Sequence, residues 1–199
     1  MNFIRKIVKS RSSEDKQLRV ELKKLLNFSP RNINKYKKAF THRSLQMLDK
    51  SGIPINYERL EFLGDSILGS VIAAYLYKKV PTGSEGYLTQ MRSKIVSREH
   101  LNELGKDLNL IRFVKSNIDQ ANVGHNIHGN IFEALVGAIY LDKGYKFCQK
   151  FIFKNVIVPY VDIEKLEGKI TSYKGLIIEW CQKQKKKYKF DTYEDSGNE

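Results

Sequence analysis

Five oxygen-bearing side chains in this sequence have the spacing to act together. Glu58, Glu61 and Asp65 stand at i, i+3 and i+7, and Asn130 and Glu133 repeat the i, i+3 step in a second segment. At about 100° per residue, each set falls on one narrow face if its segment is helical. Clustered oxygen donors with no cysteine or paired imidazole among them suit a hard cation, Mg²⁺ or Mn²⁺, better than zinc. Like charges stacked on a helix destined for a core cost several kcal/mol unless a cation or hydrogen bonds compensate. The same spacing also fits first-turn acids favoured by the helix macrodipole, with Arg59 as a local ion-pair partner. Gly64, between Glu61 and Asp65, weighs toward a site. A mid-helix glycine costs about 0.5–1 kcal/mol relative to alanine and marks the close approach of another backbone or a ligand. His125 and His128 are also spaced i, i+3, but no third ligand accompanies them. His42 reads as a hydrogen-bonding structural residue without a nucleophile partner.

The elements that must position these residues are helices. Segment 58–79 is apolar nearly all round (Leu60, Phe62, Leu63, Ile67, Leu68, Val71, Ile72), which predicts a central buried helix stopped by Pro81-Thr82-Gly83. Segment 127–141 reads the same way and closes at Gly144. Three- and four-residue apolar steps predict further helices over 15–26, 34–42, 84–96, 98–104 and 148–158, the last ending before Pro159. No alternating run occurs before Tyr188-Lys189-Phe190-Asp191-Thr192-Tyr193, so the main body is expected to be all-α. The expected organisation is a basic tail (1–14), a helical domain (15–158), a polar linker (159–171) and an incomplete second unit (172–199) with one helix over 172–185 and the start of a strand.

Composition bounds the function. The 199 residues carry 35 Lys and Arg against 22 Asp and Glu, a net charge of +13, with 41% hydrophobic residues. Residues 1–50 hold 14 of those basic residues and only 4 acids. Such a concentrated surplus points to a polyanion, and nucleic acid is the commonest one. A second basic run, Lys183, Lys185, Lys186, Lys187 and Lys189, lies near the end. The longest apolar stretches, 70–77 and 131–141, fall short of the roughly 20 residues of a membrane span, so no membrane partner is expected. Two cysteines without metal-ligand spacing, Cys148 and Cys181, read as plain thiols in a reducing compartment, and a cytoplasmic location is expected.

Residues 56–66, NYERLEFLGDS, resemble the signature of the ribonuclease III family of double-stranded-RNA endonucleases. AFTHRS (39–44), EGYLTQMRSKIV (85–96) and GNIFEALVGAIYLD (129–142) resemble further segments of that family in the same order, over roughly 15–158. Residues 172–182, SYKGLIIEWCQ, resemble the first helix of the double-stranded-RNA-binding domain that commonly follows. The resemblance implies the ribonuclease III helical fold and a homodimer. Each subunit would hydrolyse one strand of duplex RNA with Mg²⁺, or Mn²⁺ in its place, leaving 5′-phosphate and 3′-hydroxyl ends. It implies Glu61, Asn130 and Glu133 as metal ligands, Glu58, Asp65 and Glu133 as the catalytic acids, and Glu179 as an RNA minor-groove contact. Substrates such as ribosomal and other structured RNA precursors follow from the same likeness. Asn130 departs from the family, which has Asp there. An amide oxygen can ligate Mg²⁺ with one negative charge fewer. The alternative implied by that departure is a non-catalytic duplex-RNA binder or ribosome-associated protein on the same fold.

Overall fold

A computed structural model describes residues 13–118, 124–168, 174, 177, 178, 180, 181 and 184–191. Its helices are α1 (Ser13–Leu26), α2 (Ile33–Ala39), α3 (Glu58–Lys79), α4 (Glu85–Ile95), α5 (Arg98–Asp107), α6 (Ile127–Lys143), α7 (Tyr145–Ile152), α8 (Val158–Tyr160) and α9 (Ile163–Gly168). Among the described residues there is no strand, and the isolated bridges join Thr41 to Lys115 and Leu48 to Pro54. The all-α expectation holds.

At the centre lies α6, with Ile131, Phe132, Ala134, Leu135, Val136, Ala138 and Ile139 at 1% exposure or less. It packs against α3, α5, α2 and α7. By length and composition α3 could also cross a membrane, but here its Leu60, Leu68, Val71, Ile72 and Leu76 are core residues. Side chains mark the helix starts. Ser84 accepts from Tyr87 N at 3.3 Å before α4, and Ser97 accepts from His100 N at 3.3 Å before α5. At the far end of α6, the buried Asp142 accepts from Arg31 N and Asn32 N at 2.8 Å each and from the Tyr36 hydroxyl at 3.1 Å. Two of those donors are the backbone N–H groups of the N-cap Asn32 and of the residue before it, and the third is a side chain of α2 itself, so Asp142 ties that helix to the core.

Glycines set how close the central helices come. A Cβ on Gly64 of α3 would sit 1.7 Å from the Glu133 carbonyl oxygen, and one on Gly137 of α6 would sit 2.3 Å from the Leu60 carbonyl oxygen. The two main chains therefore touch, reciprocally, one turn apart. Gly64 does mark the approach of another backbone.

Several boundaries differ from the sequence reading. The 34–42 helix stops at Ala39, because His42 caps a separate 3₁₀ turn, Arg43–Leu45, its ring accepting from Ser44 N at 3.2 Å. The 148–158 helix begins at Tyr145, passes through a π turn at Phe153–Ile157 and continues past Pro159, which occupies the first turn of α8. Within the stretch read as a linker, α9 is helical, with Leu166 buried. Its last carbonyls, those of Leu166 and Glu167, accept from Lys94 Nζ at 2.7 and 3.2 Å. The described residues of 172–181 are helical, while Tyr188–Asp191 form no strand. Most of the basic tail and Glu179 lie outside the described residues.

Candidate active site

The first turns of α3 and α6 open into a cleft of about 820 Å³. Glu58, Glu61, Asp65, Asn130 and Glu133 all line it, joined by His42, Arg43, Tyr57, Phe62, Arg98, Asn102 and His125. The glycine contact explains the convergence. With Gly64 against the Glu133 carbonyl, the side chains of Glu61 and Asp65 on one helix and Glu133 on the other must emerge beside each other.

Each acid is held differently. Glu58 is exposed at the start of α3. Its Oε2 accepts from Asn56 Nδ2 at 3.0 Å, its backbone N donates to Asn56 Oδ1 at 3.1 Å, and Arg43 lies 3.4 Å from its Oε1. Its cation is thus Arg43 from the preceding turn, and not the neighbouring Arg59. Glu61 and Glu133 are half-buried. Burial, then the negative charge of Glu58, raises the Glu61 carboxyl above its usual range, with Asp65 adding to the effect and Arg98 opposing it. Burial, then the charges of Asp65 and Glu61, pushes Glu133 up to about 8, again opposed by Arg98. Arg98 is therefore the cation facing both inner acids.

Among the described residues, no three His, Cys, Asp or Glu side chains stand close enough to share an ion on their own. The donor set nevertheless fits a hard divalent cation: two mutually repelling carboxylates, a third acid beside them and an amide oxygen, with one arginine as partial compensation. A bound cation would offset the burial and the repulsion that together raise Glu61 and Glu133.

The histidines stand in different settings. His128 Nδ1 is buried without a hydrogen-bond partner, and burial and then Lys106 lower the ring's proton affinity, while His125 is exposed at the cleft. His42 lines the cleft but serves as a cap, its affinity for a proton lowered by burial and then by Arg43.

Arg43, Asn56, Tyr57 and Arg98 were not singled out from the sequence. One signal did exist for Arg98, which opens α5 at Ser97-Arg98. A cation at a helix N-terminus opposes the macrodipole, so its presence there calls for acids nearby.

A Ribonuclease-III-like family model matches residues 32–160. The chain belongs to the ribonuclease III family. It is 66% identical over 199 residues to a ribonuclease 3 of Zunongwangia profunda, covering all of this chain and 82% of that protein. Identity to a ribonuclease 3 of Flavobacterium psychrophilum is 64%, over 98% of this chain and 80% of that one. The nuclease domain of ribonuclease III from Campylobacter jejuni superposes with a TM-score of 0.62 at 30% identity, covering 70% of this chain and 96% of that domain. This ribonuclease III is a hydrolase and an endonuclease, as its signature segments implied.

Proposed function

We propose that this ribonuclease III cleaves double-stranded RNA in a metal-dependent reaction at the α3–α6 cleft, leaving 5′-phosphate and 3′-hydroxyl ends. The observation that carries the reading is the convergence of Glu61, Asp65 and Glu133 beside Asn130 without enough positive charge to balance them. Glu61, Asn130 and Glu133 would hold Mg²⁺, with Mn²⁺ able to substitute, and Glu58 and Asp65 would act around it. When bound, the ion supplies Lewis acidity at the scissile phosphate and lowers the pKa of a water. The chain's own groups do the rest. Glu58 is oriented by Asn56 and Arg43, and Asp65 stands exposed at the cleft, so each can hold a water by accepting its hydrogen bonds. Arg98, the exposed cation at the rim, is placed to meet a phosphate once an ion has taken over the acids.

A homodimer is part of the proposal. The outer face of α3 presents Phe62, Ser66, Gly69, Ala73 and Tyr77 in one stripe, with Phe62 78% and Tyr77 73% exposed and open space beyond Gly69. Two aromatic ends flanking small residues suit a second copy of the same helix. In the Campylobacter jejuni nuclease domain, a region of the chain is involved in dimer formation. We place the enzyme in the cytoplasm, acting on ribosomal and other structured RNA precursors. Its free, buried Cys148 and Cys181 are consistent with a reducing compartment.

The test is incubation with end-labelled duplex RNA with and without Mg²⁺ at low salt. Duplex-specific, metal-dependent products are expected. Glu133→Gln should abolish cleavage while retaining duplex binding in Ca²⁺, and binding without cleavage by the parent protein in both Mg²⁺ and Mn²⁺ would refute the proposal.

A further inference from the structure

Arg43 stands on a turn that is held more firmly than its visible partner requires. It lines the cleft, its side chain is 70% exposed, and Nη1 lies 3.4 Å from Oε1 of Glu58, whose side chain is 46% exposed. An exposed pair of this kind contributes about 0–1 kcal/mol. The main chain on either side of the arginine, by contrast, is pinned from several directions.

Thr41 and His42, which precede it, are buried. His42 N donates to the Lys115 carbonyl at 2.9 Å, Lys115 N donates to the Phe40 carbonyl at 2.8 Å, and Tyr57 N donates to the Thr41 carbonyl at 3.0 Å. Ser44 follows, and its hydroxyl is a junction. His42 Nδ1 accepts from Ser44 N and lies 3.0 Å from Ser44 Oγ, so the hydroxyl proton belongs on that contact. Oγ then accepts twice, from Asn117 N at 3.0 Å and from the Ser116 hydroxyl at 3.1 Å. The Ser116 oxygen in turn accepts from Ile118 N at 3.1 Å, and the Ser44 carbonyl accepts from Asn117 Nδ2 at 3.4 Å. A hydroxyl has one proton and two lone pairs, and Ser44 uses all three. The turn bearing Arg43 is thereby tied to a segment 72 residues away in sequence.

Such a mounting matters most when the arginine grips something. An arginine on a loose turn loses main-chain and side-chain freedom on binding, whereas here the main chain is ordered beforehand. A guanidinium can present two parallel N–H groups to a phosphate in charge-assisted bonds. The weak, exposed contact with Glu58 is one that an incoming phosphate can displace, and Glu58 still keeps Asn56 Nδ2 at 3.0 Å when the arginine leaves it.

We propose that Arg43 is a substrate-binding residue that exchanges Glu58 for a backbone phosphate of the duplex, and that Ser44 is the positioning residue that holds it at the cleft. The inference rests on the cleft being the site of duplex-RNA cleavage, as proposed above. It gives the Glu58 side of the cleft a phosphate contact of its own, separate from Arg98 on α5. A phosphate contact carries no sequence information, so its loss should weaken duplexes of different sequence alike.

The experiment measures binding of the full chain to fluorescently labelled duplex RNA in Ca²⁺ over a range of KCl concentrations. Arg43→Ala should weaken binding about tenfold at low salt. It should also lower the slope of log affinity against log salt by about one. Ser44→Ala should weaken binding about fivefold in the parent and less than about twofold in the Arg43→Ala background. Ser116→Ala removes one donor to the same hydroxyl and is the milder probe, expected to act in the same direction and only while Arg43 is present. Equal loss on Ser44→Ala in both backgrounds would mean that the hydroxyl serves the fold alone, and would overturn its positioning role. Unchanged affinity and salt slope in Arg43→Ala, even with a fall in kcat, would overturn the phosphate contact and leave Arg43 as a partner of Glu58 only. A parent chain that neither binds nor cleaves duplex RNA would refute the reading of the cleft itself. A parent that does both while Arg43→Ala is silent overturns this inference alone. All variants are compared at a temperature where circular dichroism shows each to be folded.

Discussion

Glu133→Gln should make the metal-free enzyme more stable even as it removes activity. The Glu133 carboxyl moves from 4.5 to about 8 on folding, through burial and then the charges of Asp65 and Glu61. A carboxyl whose pKa rises on folding holds its proton more tightly in the native state. Native stability therefore falls as pH climbs from the unfolded value, near 4.5, through the folded one, near 8. At about 1.36 kcal/mol per pH unit the whole gap is worth at most about 5 kcal/mol. Glu133 keeps partial contact with water, and screening and side-chain relaxation reduce this to about 2 kcal/mol. For a domain of this size that corresponds to about 4–8 °C in Tm. Glutamine keeps the shape and drops the charge. Scanning calorimetry of EDTA-treated protein should therefore find the variant melting about 4–8 °C above the parent at pH 8, with the gap closing to about 1 °C near pH 4.5. Added Mg²⁺ should also narrow the gap at pH 8, because the ion stabilises only the chain that binds it well. Equal melting temperatures at pH 8, or a gap that does not change with pH, would refute the ionisation penalty assigned to Glu133.

Gly64→Ala places a methyl group on the Glu133 carbonyl and should cost about 3 kcal/mol in urea denaturation, with weaker Mn²⁺ binding because the two acid-bearing helices must separate. Asp142→Ala strips the acceptor from two backbone N–H groups at the start of α2 and should cost about 2–4 kcal/mol. Since Asp142 lies at the opposite end of α6 from the acids, kcat at saturating metal should stay within about twofold of the parent. Burial pushes the Cys148 thiol up to about 12, so iodoacetamide at pH 8 should leave it unmodified in the native protein and label it in denaturant, as peptide mass spectrometry would show.

Much of this arrangement was legible in the residues themselves. The bounds of α3 followed from an uninterrupted apolar pattern stopped by Pro81 and Gly83, and the faces bearing Glu61, Asp65 and Glu133 followed from helical geometry. Gly64 announced the backbone contact, because nothing local explains a glycine there. What escaped depends on partners distant in the chain. Pro159 was read as a terminator, yet a proline is also at home in the first turn of a helix, and only the packing of α7 and the π turn decides which applies. The polar composition of 162–169 concealed α9, whose burial rests on Leu166 and on Lys94 reaching from α4 to its final carbonyls. Arg43 lies outside any periodic pattern, so its place beside Glu58 emerges only when the turn before α3 folds against the start of that helix.

The contact between Gly64 and Gly137 separates two kinds of tolerance. Because main chain meets main chain there, the distance between the acidic faces is set by peptide units, whose dimensions are the same in every sequence. Substitutions elsewhere in the core, at Leu68, Val71 or Ile139, would be expected to drain stability well before they disturb the spacing of the acids. The interior can therefore be redesigned as long as those two positions keep their hydrogens, and a single methyl group at either one reaches the chemistry directly.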